Sequence, residues 1–474
     1  MKVLFATSEA LPFAASGGLG EVAGSLPQAL RKRLVGCRVV MPLYGTIDPK
    51  LKESMRFITH ICVPVAWRRQ YCGIFEAKAG GVIYYLIDNQ YYFKRDTMYG
   101  HYDDAERFAF FSRAVLEIIP SIDFKPDIIH CNDWETALTP FYYSTIFAQQ
   151  PGYEGIKTIF TIHNIQYQGV YGNELIENVI GADMTHYNFL RYDNSVNLMK
   201  AGIECSNVVT TVSPSYAKEI LDPWHSHGLD TILKARSWKI HGILNGIDTD
   251  SYNPETDSEI YANYSADVIS NKALNKKKLQ QRFGLSQNKA IPVVGMVTRL
   301  VSHKGLDLIK SVLEEFLITT DVQFIVLGSG EWQYESFFKD MAEKYPDKFV
   351  ITLGFFPELA RKIYAGSDLF LMPSKSEPCG LSQMVALRYG AIPIVRETGG
   401  LRDTVSDSAD NKGNGFVFSN YNAHDMLAAL KRACEGYKNK AGWEILVKRA
   451  MQCDNSWGKS AKEYMRLYRE TVKQ

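Results

Sequence analysis

Short apolar runs punctuate the chain, and each gives way to a polar or glycine-rich stretch. In the first half they are KVLFA (2–6), CRVVMPL (37–43), VIYYLID (82–88), DIIHCND (127–133), KTIFTIHN (157–164), VVTTVSPS (208–215) and KIHGILNG (239–246). Between most of them lie stretches with apolar residues at helical spacing, such as ERFAFFSRAVLEII (106–119). Apolar strands alternating with helices predict a parallel sheet covered on both faces.

The second half repeats the theme. IPVVGMVTRL (291–300) precedes a helical LDLIKSVLEEFL (306–317), followed by VQFIVLGSG (322–330), KFVITLGF (348–355), DLFLMPS (368–374), AIPIVRE (391–397) and GFVF (415–418). Between the two series, residues 248–283 carry no strong apolar run, which predicts a domain junction near 245–253. The Lys276-Lys277-Lys278 run reads as a solvated helix face, and SAKEYMRLYRE (460–470) as a terminal helix. Two doubly wound α/β domains in series predict a ligand cleft between them. In such sheets ligands bind beyond the carboxyl ends of the strands. That rule selects Ser16–Leu19, Asp133, His163–Asn164, Asn245–Gly246, Arg299, Gly328–Gly330, Phe355 and Ser376–Leu381.

Composition narrows the function classes. The 474 residues are 46% hydrophobic and 22% charged, enough to bury sizeable cores. Lys plus Arg number 53 against 52 Asp plus Glu, a net charge of +1, so no global field recruits nucleic acid or an anionic membrane. The eight cysteines form no CxxC pair and no metal-ligand pattern appears. No apolar stretch is long enough to span a bilayer, and the run at Val3–Ala6 is too short for a signal peptide. These observations predict a cytoplasmic protein with reduced thiols, no metal and no cofactor.

Several post-strand stretches carry candidate chemistry. In PFAASGGLGEVAGSLPQAL (12–30) the pair Gly17-Gly18 opens a helix. This is either a tight strand–helix turn or a loop whose N–H groups meet a phosphate. It is not a P-loop, since no GK[ST] follows. Pro27 is predicted to kink or end the helix. His163 and Asn164 end a strand; a histidine there serves structure or donates to a sugar hydroxyl. Arg299 and Lys304 flank a strand–helix turn and suit a diphosphate. In SKSEPCGLSQMVALRYG, Glu377 precedes Cys379, Gly380 and Leu381, combining an acceptor for sugar hydroxyls with helix N–H groups. RETGGLRDTV adds a second glycine pair, a plain turn or another close approach to a ligand.

SEALPFAASGGLGEVAGSLPQAL, HCNDWETAL, FTIHNIQYQG, TTVSPSYAKEI, GILNGIDTDSYNP, TRLVSHKGLDLI, LGSGE and SKSEPCGLSQMVALRYGAIPIVRETGGLRDTV occur in this order. Together they resemble the bacterial glycogen synthases and plant starch synthases of glycosyltransferase family 5, over nearly the whole chain. The resemblance implies a GT-B fold, two Rossmann-like α/β domains with the active site in the interdomain cleft. It implies an N-terminal acceptor-side domain over 1–246, a donor domain over 247–456, and a helix over 457–474 that crosses back. The implied reaction transfers glucose from ADP-glucose to the non-reducing end of an α-1,4-glucan, glycogen or a maltooligosaccharide, with retention and without a metal.

The resemblance also assigns roles. Arg299 and Lys304 would neutralise the leaving diphosphate, aided by Ser16, Gly17 and Gly18. Glu377 would lie against the donor glucose, and the His163 carbonyl would face the charge developing on the sugar. Asp133, Asn164, Asn245, Cys379, Gly380 and Leu381 would fix the sugar, and Phe355 stands where the family usually stacks a tyrosine on the nucleobase. Val385 occupies the second position of the E-x7-E pattern of related enzymes, which favours same-face attack over a covalent intermediate. Three positions depart from the family. Ala15-Ser16 replaces a Lys-Thr pair, removing the lysine linked to the donor diphosphate, and Glu21 replaces an aspartate. UDP-glucose as donor, or a glucan-binding homologue without catalysis, are the alternative readings. If position 15 faces the phosphates, Ala15→Lys lowers the donor KM in steady-state assays; an unchanged KM places it elsewhere.

Overall fold

In a computed structural model of the chain, residues 1–410 and 412–474 are described. The chain divides into two compact units, Met1–Asn245 with Trp457–Gln474, and Gly246–Ser456.

The first unit is built on β1 (Lys2–Ala6), β2 (Gly36–Pro42), β3 (Arg56–Val65), β4 (Arg68–Ala79), β5 (Val82–Asp88), β6 (Ile128–Asn132) and β7 (Lys157–Ile162). A small sheet follows, β8 (Val170–Tyr171), β9 (Arg191–Tyr192) and β10 (Ser195–Asn197), then β11 (Val208–Thr211) and β12 (Ile240–Gly242). The main sheet runs β12-β11-β7-β6-β1-β2-β5-β4-β3. β1 sits between β6 and β2, with Val3 opposite both Ile128 and Cys37. Val3 to Ala6 are fully buried, which is why the central strands read as unbroken apolar runs.

The expectation of an all-parallel sheet is corrected at one edge. β3 and β4 form an antiparallel hairpin, and β4 pairs antiparallel with β5. The hairpin escapes the apolar-run criterion because much of β3 is exposed. Its turn at Ala66-Trp67 uses a left-handed alanine (φ 48°) in place of the Asn-Gly or Asp-Gly that marks such turns.

Pro27 neither ends nor breaks its helix, which runs from Gly18 to Lys32. The ring is buried, and the Gln28 side-chain amide donates to the Gly24 carbonyl (2.8 Å). The helix Trp457–Lys473 buries Trp457, Ala461, Tyr464 and Tyr468 along one stripe in the first unit. Tyr468 meets the buried ring of His130 on β6 (2.7 Å), whose other nitrogen meets Thr161 on β7 (2.6 Å). Burial depresses the His130 pKa to about 3, with a smaller contribution from His163, so the ring joins helix and sheet as a neutral group.

The second unit contains β13 (Val293–Val297), β14 (Gln323–Gly328), β15 (Phe349–Leu353), β16 (Leu369–Met372), β17 (Ile392–Arg396) and β18 (Phe416–Phe418). Every pairing in it is parallel, in the order β15-β14-β13-β16-β17-β18. This is the doubly wound order 3-2-1-4-5-6 of nucleotide-binding folds. The order reverses at β13 and β16, as it does at β1 and β6 in the first unit. No helix among the described residues is long and apolar enough to cross a membrane, and all eight cysteines are free.

The lysine run 276–278 lies on the helix Ser270–Arg282. Lys277 and Lys278 are exposed as a solvated face requires, but Lys276 is buried. Its ammonium pairs with Asp368 (2.7 Å) and donates to Tyr437 (2.7 Å) and the Ile291 carbonyl (2.6 Å). Asp368 in turn accepts from the Val293 amide on β13 (2.9 Å), so the pair ties the helix to the sheet. Lys276→Met leaves Asp368 buried without its cation and is expected to destabilise this unit by about 3 kcal/mol. Lys277→Met is expected to stay within about 0.5 kcal/mol. Chemical denaturation of the two variants checks the contrast.

Candidate active site

At the carboxyl end of β6, Asn132 and Asp133 arrange the chain that follows β7. The Asn132 amide donates to the carbonyls of Ala6 (2.9 Å) and His130 (3.2 Å). Its oxygen is thereby turned to meet His163 Nε2 (2.9 Å), which fixes the Nε2–H tautomer. Burial depresses the His163 pKa to about 3. Asp133 has φ 56°, left-handed for a residue with a side chain, and its carboxylate accepts the His163 amide (2.7 Å). Burial pushes the Asp133 pKa up, partly offset by the His163 and Asn164 amides, and pushes the neighbouring Glu135 well up. Asn164 accepts the Gln166 amide through its side chain (3.0 Å). The Asn245 oxygen is buried and meets no hydrogen-bond partner among the described residues.

The glycine loop lies beyond the end of β1. Gly17 and Gly18 are exposed, and the helix Gly18–Lys32 begins without a side-chain cap on Gly17. Ser16 is exposed, but its polar groups are engaged by the protein: its amide and hydroxyl both donate to Glu9 (2.5 and 2.8 Å). Burial raises the Glu9 pKa, and the Ser16 and Gly20 hydrogen bonds oppose the rise.

In the second unit the reversal brings β13 and β16 together. Arg299 follows β13; it is exposed, and its guanidinium has no partner among the described residues. Lys304 precedes the helix Leu306–Thr319 and pairs with Glu377 (2.6 Å), which also accepts from Ser374 (2.9 Å). Both donors reach Oε2, so Oε1 accepts no hydrogen bond among the described residues. Glu377 is 6% exposed, held by its loop rather than by chance on the surface.

Glycines make this crowding feasible. A Cβ at Gly305 (φ 74°) would strike the Pro373 carbonyl, and one at Gly399 (φ 44°) the Glu377 carbonyl. The pair Gly399-Gly400 therefore approaches the backbone of Glu377 and Cys379, so the close contact is with protein. Cys379 is buried, Gly380 (φ 72°) and Leu381 are partly exposed, and Val385 is buried. Phe355, just past β15, is 79% exposed.

Within the first unit Asp133, His163 and Asn164 come together; within the second, Lys304 and Glu377. Asn132, Ser374 and Glu9 are additional residues of these arrangements. Glu9 had a readable signal, a carboxylate just past an apolar run, whereas Asn132 is the last residue of its strand and Ser374 is an ordinary loop serine. Among the described residues no group of three or more His, Cys, Asp or Glu is arranged to hold a metal ion.

Two doubly wound units in one chain are the architecture of the GT-B glycosyltransferases, and similarity to known proteins places the chain in that class. Residues 2–235 match the starch synthase catalytic domain and residues 277–444 the glycosyl transferases group 1. A glycogen synthase of Geobacillus thermodenitrificans is 49% identical over 477 residues, covering 100% of this chain and 98% of that one. One from Bacillus anthracis is 51% identical over 476 residues, covering 100% of both. The catalytic domain of starch synthase IV from Arabidopsis thaliana, solved bound to ADP and acarbose, is 36% identical. Its TM-score is 0.92, with 100% of this chain and 99% of that chain covered. Sucrose-phosphate synthase from Thermosynechococcus elongatus shares the fold at 17% identity and a TM-score of 0.61, with 99% and 98% covered. The chain belongs to the glycogen synthase family, and its activity is glucosyl transfer that elongates a glucan.

The His163 environment makes a direct prediction. Its imidazole stays neutral with the proton on Nε2 between about pH 5 and 8, the range in which an unperturbed histidine titrates. Long-range ¹H–¹⁵N spectra should show that tautomer unchanged across the range; a midpoint near 6.5 would contradict it.

Proposed function

We propose that the chain transfers glucose from ADP-glucose to the non-reducing end of an α-1,4-glucan, glycogen or a maltooligosaccharide, with retention, as a cytoplasmic enzyme. The observation that carries this reading is the Lys304–Glu377–Ser374 cluster at the strand reversal of the second unit, beside the unpaired Arg299. The Arabidopsis relative, solved with ADP and acarbose, supports a nucleoside diphosphate donor and a glucan acceptor.

The unit Gly246–Ser456 carries the donor. Arg299 and Lys304 neutralise the departing diphosphate, and preorganised donors of this kind are worth about 2.7–4 kcal/mol each. Glu377 keeps Oε1 for a donor-glucose hydroxyl while Ser374 and Lys304 hold Oε2. Cys379, Gly380 and Leu381 supply the backbone around it, and the Phe355 ring stacks on the base.

The first unit supplies the acceptor side and the glycine loop. Gly17 and Gly18 meet the diphosphate through backbone N–H groups. Asp133 acts on the sugar through the backbone of His163 and Asn164, which it holds. The His163 carbonyl faces the developing positive charge, and Asn164 and Asn245 complete the sugar contacts. With Val385 apolar where a nucleophile would stand, the acceptor attacks from the leaving-group face and its proton passes to the departing phosphate.

Glu377→Ala and Lys304→Ala are each expected to lower kcat at least about 10²-fold while the protein remains folded. Chain extension of a maltooligosaccharide, followed with ADP-glucose and with UDP-glucose, measures both turnover and donor choice. Full turnover in both variants, or extension with UDP-glucose alone, overturns the corresponding part of the reading.

A further inference from the structure

The glycine loop is held by a residue outside it. The strand β1 ends at Ala6, and three residues later Glu9, 3% exposed, points its carboxylate at the loop. Oε2 accepts the amide (2.5 Å) and the hydroxyl (2.8 Å) of Ser16, and Oε1 accepts the amide of Gly20 (3.1 Å). The carboxylate thus grips both sides of Gly17-Gly18-Leu19. Three donors converging on two oxygens favour the ionised, acceptor-only carboxylate and oppose the rise in pKa that burial imposes.

Position in the helix gives this grip its meaning. Gly17 is the N-cap of the helix Gly18–Lys32 and has no side chain to cap it. A capping side chain ordinarily takes the N–H of the second or third helical residue. Here Gly20 is the third, so Glu9 caps the helix from the preceding strand exit. The N–H groups of Gly18 and Leu19 find no acceptor among the described residues. The same segment is clamped elsewhere: the Leu11 amide donates to the Gly20 carbonyl (3.0 Å), and a Cβ on Gly20 would strike Ala15.

The geometry points to Glu9 as a positioning residue for donor binding, one that fixes the glycine loop so that the N–H groups of Gly18 and Leu19 stay open to the diphosphate. The inference rests on the donor-loop reading given above. It also accounts for Ser16, whose polar groups serve the loop's shape and not the ligand. Two effects of Glu9 oppose each other. Its charge repels a diphosphate, while its grip preorganises the amides that bind one. The positioning role requires the grip to win.

Glu9→Gln keeps the size but offers one acceptor oxygen where three donors converge. Donor KM and the inhibition constant of ADP should both rise about tenfold, with the maltooligosaccharide KM unchanged. Ser16→Ala removes only the hydroxyl bond and should move the same two constants roughly threefold. Because it deletes a single exposed hydroxyl, it carries the test if Glu9→Gln does not fold. A general loss of structure would move acceptor and donor constants together. Donor constants that stay level or fall in both variants overturn the inference. Lys304→Ala in the same assay separates the two levels: weakened donor binding there with no effect at Glu9 overturns the positioning role alone. No effect at either residue overturns the donor-site reading beneath it.

Discussion

The placing of most candidate groups in this protein depends on where its strand order reverses. In each sheet the strand that starts the order, β1 or β13, has its next neighbour in sequence on one side and a later strand, β6 or β16, on the other. Crossovers between parallel strands keep one hand, so the connections leaving these two strands depart to opposite faces of the sheet. In open α/β sheets such a reversal leaves a gap beyond the carboxyl ends of the two strands, where ligands bind. Glu9 and the glycine loop follow β1, and Asn132 ends β6 with Asp133 just after it. Arg299 follows β13, and Ser374 and Glu377 follow β16. Unrelated sequence stretches therefore present side chains together because topology leaves one place in each unit where they can go.

The gap imposes backbone conditions of its own. Chains leaving adjacent strands pass each other closely, which Gly305 against Pro373 and Gly399 against Glu377 make plain. Asp133 accepts a left-handed conformation without being glycine. Such a conformation costs of order 1–3 kcal/mol and persists where the surroundings over-determine it. Here the Asp133 amide bonds the Thr161 carbonyl (2.9 Å) and its carboxylate holds the His163 amide. The strain keeps that carboxylate beside the exit of β7 instead of along β6.

What the sequence made legible follows from the same physics. Strands buried on both faces are mostly apolar, so β1, β13 and β14 stand out without any knowledge of their partners, while β6 carries His130 and Asn132 among its apolar residues. β3 and β4 lie at the edge, half in solvent, and their turn lacks glycine and asparagine, so no local signal marks them. Lys276 looks like its neighbours in a basic run, but only the fold decides that one of the three turns inward to Asp368. Post-strand position located Asp133, His163, Arg299 and Glu377. It could not reveal that Ser16 is spent on Glu9, because hydrogen-bond partners distant from a loop's own residues leave no trace in the loop.

The two units use one device at their reversals. Each places a buried carboxylate in a site proposed to take a diphosphate sugar, which by charge alone is the wrong choice. In each the carboxylate is surrounded by donors: Ser16 and Gly20 around Glu9, Ser374 and Lys304 around Glu377. A carboxylate so held is locally compensated, and its remaining effect is to orient the donors that touch it. At Glu9 the oriented groups are the ends of a loop, and at Glu377 one of them is the ammonium of Lys304. With no lysine at position 15, the glycine loop itself has only backbone dipoles to offer an anion. Dipoles bind well only when they are fixed before the ligand arrives, so this loop depends more on its anchoring carboxylate than a loop carrying its own cation would.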